Sequence, residues 1–335
     1  MDTATHFAFG FGLAGLAQID PNVGADVWAQ VAVTIGTVAG SQAPDADTLL
    51  RLRSNESYVR HHRGVSHSIP AWFVWTGLIS SALWLAFPSV PFWTLATWVF
   101  VAVAVHVASD LFNTYGTQAF RPLSAKWIAW NVIHIFDPFL FGAHMAAILL
   151  WTAGFAEASV VFPTLYAGLV VYYAWRWAVH ARVERELPKL DRGGRSGERY
   201  VAIPTVHWDH WNVLKTSEGR YDLGTLRQGR LEWSDSIRCE SSPAIEKSRE
   251  HPAVDAFLSF CPYPCPSEEK RNGRTVVRWV DARYQHRKQY PFLAVVEYDE
   301  RLTPVFSYVG WISDQKLERK LREASSRPNF AGTGR

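Results

Sequence analysis

From residue 64 to residue 109 the chain contains no Asp, Glu, Lys or Arg. Pro88-Ser89-Val90-Pro91 divides this run into two segments, each long enough to cross a bilayer, so the stretch predicts a membrane-embedded helical hairpin. Four further uncharged runs, residues 3–19, 27–44, 138–156 and 158–175, are 17 to 19 residues long. Together these predict about six spans. The first two are short, and Asp20-Pro21-Asn22 with Asp26 leaves only a tight turn between them. Residues 3–19 carry no basic n-region and no small-residue cleavage site, which reads as a retained helix.

Charge separates two unlike halves that a mean hydropathy of -0.07 conceals. Residues 1–175 hold six of the 34 Lys and Arg, and the remaining 160 residues hold 28. Arg51, Arg53, Arg60 and Arg63 fall between expected spans two and three, Arg121 and Lys126 between four and five, and Arg176, Arg182 and Arg185 after six. The other short connections hold no basic residue, so the positive-inside rule predicts that both termini face the cytoplasm of a bacterial inner membrane. The 16 Trp and 19 Phe suit a chain with rings at the lipid–water boundary. Cys239, Cys261 and Cys265 all lie in the polar half and imply no paired disulfide framework, which fits a reducing compartment.

The expected organisation is therefore an α-helical multi-pass membrane domain over residues 1–180 and a basic linker over 181–197. A small soluble β-rich or α+β domain follows over 198–315, and then a polar, disordered tail over 316–335. Runs at 200–204, 275–280 and 292–298 partly alternate apolar and polar residues and are rich in β-branched and aromatic side chains, which predicts strands in a small mixed sheet. Residues 253–260 read as a short helix. Gly36-Thr37-Val38-Ala39-Gly40 is a GxxxG that can bring two helices close or be incidental.

On this topology the ionisable residues of the first half gather at one face. His6 opens span one, Asp45 and Asp47 close span two, and His61, His62 and His67 precede span three. His106 and Asp110 end span four, while His134 and Asp137 precede span five. An ionisable group at a helix centre costs roughly 2.5–3.5 kcal/mol on insertion scales, so such groups are functional candidates. His106 and Asp110, four residues apart, share a helix face and can reach one centre or each other. A mixed His and Asp donor set suits a divalent metal, zinc first and manganese or iron as alternatives. Several of these residues also have plain structural readings. Asp45, Asp47 and Asp137 can cap helices, His61 and His62 can face interfacial lipid, and Arg63 can anchor the charged face or fork onto phosphate oxygens. Ser66 and Ser68 read as caps or supporting donors, His144 as a packed or supporting group, and His180 as solvated.

Other signals carry less. Gly10-Phe11-Gly12-Leu13-Ala14-Gly15 matches GxGxxG without the strand that dinucleotide binding requires. Cys261-Pro262-Tyr263-Pro264-Cys265 has no second ligand pair at zinc-finger spacing, and His207-Trp208-Asp209-His210 reads as an exposed turn. HExxH does not occur.

The order Thr5-His6, Pro44-Asp45-Ala46-Asp47, His62-Arg63-Gly64-Val65-Ser66-His67-Ser68 and His106-Val107-Ala108-Ser109-Asp110 resembles the YdjM-like membrane-bound metal-dependent hydrolases. The resemblance covers about residues 1–180 and is most specific in the HRGxSHS segment and the HxxxD pair. It implies a divalent metal and hydrolysis, with His6, Asp45, Asp47, His62, His67, His106 and Asp110 as matching positions and His61 and His134 as weaker ones. More distantly the pattern is similar to zinc phospholipase C and P1-type nucleases, which points to phosphoesters. The expected activity is hydrolysis of a lipid or small phosphoester by metal-activated water, with Asp45 and Arg63 in catalytic roles. The alternatives are a histidine-box oxygenase, a metal or proton transporter, and a non-catalytic scaffold. The bilayer and a protein bound through the C-terminal domain are the expected partners, and nucleic acid is not one.

Overall fold

In the computed structural model, which describes residues 1–285 and 289–325, the first half is helical. Its elements are α1 (Thr3–Leu16), the single turn α2 (Pro21–Gly24), α3 (Val27–Gln42), α4 (Asn55–His61), α5 (Ile69–Ala86), α6 (Phe92–Leu111), α7 (Pro138–Thr152) and α8 (Ala158–Leu190). Aspartates mark several helix starts. Asp2, Asp26 and Asp137 accept backbone N–H groups of the first turns of α1, α3 and α7, and Pro138 occupies the first position of α7, where its missing N–H costs nothing.

The expectation of six spans is corrected. Among the described residues three helices, α5, α6 and α8, are long and apolar enough to cross a membrane. α7 is apolar but has 15 residues, and α1 and α3 have 14 and 16. At 1.5 Å per residue those three rise about 21–24 Å, short of a hydrocarbon core of about 30 Å. Uncharged run length overstated them because the runs include capping turns. The outward faces of the long helices are bare hydrocarbon: Phe73, Val74, Leu78, Leu85, Trp93, Val170 and Val171 are all exposed. A lipid environment satisfies such faces and water does not.

Small residues set the helix spacing. A Cβ at Gly10 would lie 2.9 Å from Val38 Cα, and one at Gly15 would lie 2.0 Å from the ring of Phe162, so the GxGxxG run is where α1 meets α3 and α8. The GxxxG is likewise not incidental, since a Cβ at Gly40 would stand 3.1 Å from Val99 O and seat α3 against α6.

α8 continues to Leu190, through most of the expected linker, because its last turns are buried by the sheet that follows. Strands β1 (Arg199–Pro204), β2 (His210–Ser217), β3 (Arg220–Arg227) and β4 (Arg230–Arg238) form an antiparallel meander. Trp211, Val213 and Leu226 of this sheet pack on Leu187. His180, expected to be solvated, lies within α8, is buried and bonds Ala202 O at 3.1 Å. Helices α9 (Pro243–Ser248) and α10 (Pro252–Phe260) lead to a second meander, β5 (Pro264–Arg271), β6 (Arg274–Asp281), β7 (Phe292–Tyr298) and β8 (Pro304–Trp311), closed by α11 (Asp314–Ser325). α10 covers one face of this sheet through Phe257 and α11 the other through Leu317 and Leu321, so every residue of β7 is buried.

The three predicted strands and the helix at 253–260 are present, but there are two antiparallel sheets and not one mixed sheet. Residues 316–325 of the expected tail belong to α11, and residues 326–335 lie outside the described residues. Cys239 and Cys265 form a disulfide, against the expectation of unpaired cysteines. The segment after β4 returns beside β5, where Glu240 N donates to Pro266 O, and a separation of 26 residues does not announce that approach.

On the first sheet Lys215, itself buried, sits 3.0 Å from Asp191, 3.3 Å from Asp222 and 3.8 Å from Glu198. Burial opposes ionisation of Asp191 and Asp222, yet their hydrogen bonds, including those from Lys215, hold both carboxyls below their usual range. Groups so depressed contribute stability above their unfolded values of about 4 and lose it as pH falls through the folded ones. Lys215→Met is therefore expected to lower stability at pH 7 by roughly 3 kcal/mol. The gap to wild type is expected to shrink as pH drops below about 4. Thermal melts of the full chain in detergent check this, and a gap constant from pH 7 to pH 3 would contradict it.

Candidate metal centre

Three elements converge at the end of α6, beside the arginine-bearing segment 51–63. Asp45 and Asp47 come from the 3₁₀ turns after α3, Ala43–Leu52, and His67 from the turn Val65–His67 before α5. His106 and Asp110 lie one turn apart on α6. His67, His106 and Asp110 are buried, and Asp45 is partly exposed.

The hydrogen bonds around the two imidazoles settle where their protons sit. His106 Nδ1 lies 2.6 Å from Ser41 O, and a carbonyl only accepts, so Nδ1 donates and Nε2 of the neutral ring is bare. The Ser66 hydroxyl gives its one proton to Asp47 Oδ2 and so accepts from His67 Nδ1 at 2.9 Å, which leaves Nε2 of His67 bare as well. Burial pushes the His67 imidazole below its usual value despite the nearby carboxylates, in keeping with a neutral ring.

Both bare nitrogens point at the same place, 3.3 Å apart. Asp45 Oδ1 is 3.5 Å from His67 Nε2 and 3.8 Å from His106 Nε2. Asp110 Oδ2 is 3.4 and 3.5 Å from the same two atoms. Neither carboxylate oxygen has a hydrogen-bond donor, although both are buried. Four lone-pair donors thus face one another with no proton to separate them, an arrangement stabilised by a cation among them. A tetrahedral ion with bonds of about 2.0–2.2 Å spaces its donors about 3.3–3.6 Å apart. Five of the six separations here are the values just given, and all four atoms lie within 4.8 Å of one another. The donor set therefore fits a divalent metal.

The neighbours hold these ligands in place. Asp110 Oδ1 takes the Met1 amino group and the Asn113 amide at 3.0 Å, and Arg63 Nη1 stands 3.3 Å from it as an ion pair without a hydrogen bond, which turns Oδ2 toward the centre. Asp47 accepts from His62 Nδ1 at 2.6 Å, from Arg63 N at 2.9 Å and from Ser66, so both its oxygens are occupied. Burial would raise the Asp47 carboxyl, but the bonds from His62 and Ser66 and the nearby imidazoles lower it. Asp45, Asp47 and His62 also bring donor atoms within 4.8 Å of one another, but the bond between Asp47 and His62 makes this group a support that orients the first. Arg63 has φ +60°, a left-handed conformation held by its N–H to Asp47 and its carbonyl to Gln118 N. Such strain is characteristic of functional positions.

Three expected ligands stand elsewhere. His61 is exposed and bonds Ser57 O within α4, and His134 bonds Phe136 O in its own loop. Asp137 caps α7 and accepts from Tyr172 at 2.7 Å. Their clustering in sequence reflected helix ends at one face, not one centre. His6 stacks on His106 at 3.7 Å between ring centroids and contacts the Met1 amino group, so it backs the centre. His144 bonds Leu140 O in its own helix and packs edge-on against Phe9. The supports supplied by Ser41, Asn113 and the Met1 amino group were missed in the sequence. Asn113, one turn beyond Asp110 at an i,i+3 spacing, carried the only local signal.

A family model described as YdjM inner membrane protein matches residues 1–183, and one described as the YfhP C-terminal alpha/beta plait domain matches residues 243–321. The second range spans α9, α10, the β5–β8 sheet and most of α11. A protein of Bacillus subtilis (strain 168), described as uncharacterized protein YfhP, is 39% identical over 329 residues, which is 97% of this chain and 100% of that relative. No solved structure matches, and the distant likeness to zinc phospholipase C and P1-type nucleases is not borne out. The match over the first 183 residues includes every side chain of the four-donor centre, and the chain belongs to the YdjM inner membrane protein family.

Proposed function

We propose that the chain is a membrane-bound, metal-dependent hydrolase that cleaves a phosphoester at the cytoplasmic face of the inner membrane. The observation that carries this reading is the convergence of two bare imidazole nitrogens and two donor-less carboxylate oxygens on one point. A divalent metal there, zinc first on the mixed nitrogen and oxygen donors, supplies the Lewis acidity that activates water near neutral pH.

The protein's own groups supply the rest. Asp45, the most exposed of the four ligands, stands at the open side of the centre, where it can accept a proton from an attacking water. Arg63 Nη1 is buried, makes no hydrogen bond and lies beside Asp110, positioned to take phosphoryl oxygens. For orientation, the α5–α6 pair begins and ends at the centre, and α8 returns from the opposite side toward the sheets. Arg51, Arg53, Arg60 and Arg63 at the shared end favour a cytoplasmic placement. The ionisable groups gather at this end and do not line a path across the helices, which favours a site over a transport route.

The test is hydrolysis of p-nitrophenyl phosphate and bis-p-nitrophenyl phosphate by metal-loaded protein in detergent. Wild type is expected to turn over one of them, and Arg63→Lys, with its metal retained, is expected to lose about 10²–10³-fold in kcat. Fully metal-loaded wild type inert on both esters would overturn the reading.

A further inference from the structure

Beside the metal centre lies a cavity of about 360 Å³ whose walls come from both halves of the chain. The first half contributes Arg51, Tyr58, Arg63 and Tyr115, and the C-terminal half contributes Phe260 at the end of α10 and Trp311 at the end of β8. We infer that this cavity binds a phosphoester with a flat apolar or aromatic body, its phosphate toward Arg63 and its body against Tyr115, Phe260 and Trp311. The inference rests on the phosphoester reading of the centre, and it names the substrate class that the centre takes.

Charge and shape point the same way. Among the described residues that line the cavity two are arginines and none is a carboxylate. The Arg51 guanidinium lies 4.0 Å over the Tyr58 ring and that of Arg63 5.6 Å from the Tyr115 ring, so both cations are presented on aromatic faces. Arg63 touches both places, lining the cavity while its Nη1 reaches Asp110. An anion at Arg63 is therefore next to the ligand set.

The opposite wall is aromatic and fixed. Tyr115 lies 6.3 Å from Phe260 and 6.0 Å from Trp311 between ring centroids, and it stacks on Tyr284 at 5.3 Å. Arg283, clamped by Asp281, donates to Thr114 O at 2.8 Å and ties this wall to the loop that follows α6. Trp311 is nevertheless 43% exposed, a large ring with an open face at the cavity. A volume of this size, walled by rings and carrying one or two convergent cations, fits a small molecule with a planar body and exceeds the need of phosphate alone.

The experiment measures binding of phenylphosphonate and methylphosphonate by calorimetry to full-length, metal-loaded protein in phosphatidylcholine nanodiscs. Neither probe has an ester bond, so binding is read whether or not the protein hydrolyses anything. Wild type is expected to prefer phenylphosphonate by about tenfold, the worth of one well-packed aromatic contact. Trp311→Ala and Phe260→Ala are expected to lose that preference while keeping methylphosphonate affinity and metal content, and Trp311→Phe is expected to restore most of it. Equal affinity of the two probes for wild type, or a preference intact in both alanine variants, would overturn the inference. Discs containing phosphatidic acid distinguish the source, because displacement of phenylphosphonate assigns the cavity to a lipid phosphoester and undiminished binding assigns it to a soluble one. A preference that holds in a protein inert on both nitrophenyl esters would sink the hydrolase reading and leave the binding site standing.

Discussion

His106→Ala and His67→Ala, purified in detergent, are each expected to carry less than about a tenth of the metal of wild type at the same free-metal concentration. Loss of an outer partner of a ligand typically costs about 10–100-fold in metal affinity, and loss of a ligand costs at least that. The two substitutions test the centre from two separate elements, since His67 comes from the turn before α5 and His106 from α6. Asp47→Asn provides the graded comparison. It leaves all four donors in place but weakens the bonds that set Ser66 and His62, so it is expected to lie between wild type and the ligand variants. Elemental analysis by mass spectrometry reads all three. A ligand variant that folds and keeps a full complement of metal would remove that histidine from the centre.

Arg283→Met is expected to be the most damaging single change outside the centre. Its guanidinium and the Asp281 carboxylate are both buried, with Nη2 2.7 Å from Oδ2, and Nη1 spans the two halves of the chain through Thr114 O. Removing one partner of a buried pair strands the other charge, at about 3–5 kcal/mol. Because the lost contact joins the turn after β6 to the loop after α6, the C-terminal half is expected to loosen from the helices while the four side chains of the proposed centre stay assembled. Limited proteolysis should cut the variant between the sheets and the membrane half, with metal content near that of wild type. A variant as protease-resistant as wild type would show that this pair does not hold the two halves together.

The helical half and the four side chains of the proposed centre were legible in sequence for physical reasons. Hydrocarbon excludes charge, so an uncharged run such as 64–109 declares its helices, and ionisable side chains beside it stand out against that background. His67, His106, Asp45 and Asp110 were visible for that reason. The same logic over-counted. It cannot separate a residue that ends a helix near the centre from one that reaches it, which is why His134 and Asp137 were drawn in. Nor does an uncharged run distinguish a helix that spans from a shorter one packed among its neighbours, as α1 and α3 are. The supporting shell was hidden because it is built from long-range contacts of ordinary groups. Ser41 offers a backbone carbonyl to a residue 65 positions away, and nothing in its identity marks that role. In the C-terminal half, β-branched and aromatic runs revealed strands, but their division into two sheets depends on where the chain turns back. The placement of Phe260 and Trp311 beside Tyr115 depends on docking between the halves.

The central claim is that two imidazoles and two carboxylates close on a single cation. X-ray absorption at the edge of the metal that copurifies with the full-length protein tests it most directly. The account predicts a first shell of nitrogen and oxygen at about 2.0–2.2 Å with the outer scattering of two imidazoles and no sulfur. A sulfur shell at about 2.3 Å, or scattering from no imidazole at all, would place the metal somewhere other than Asp45, His67, His106 and Asp110.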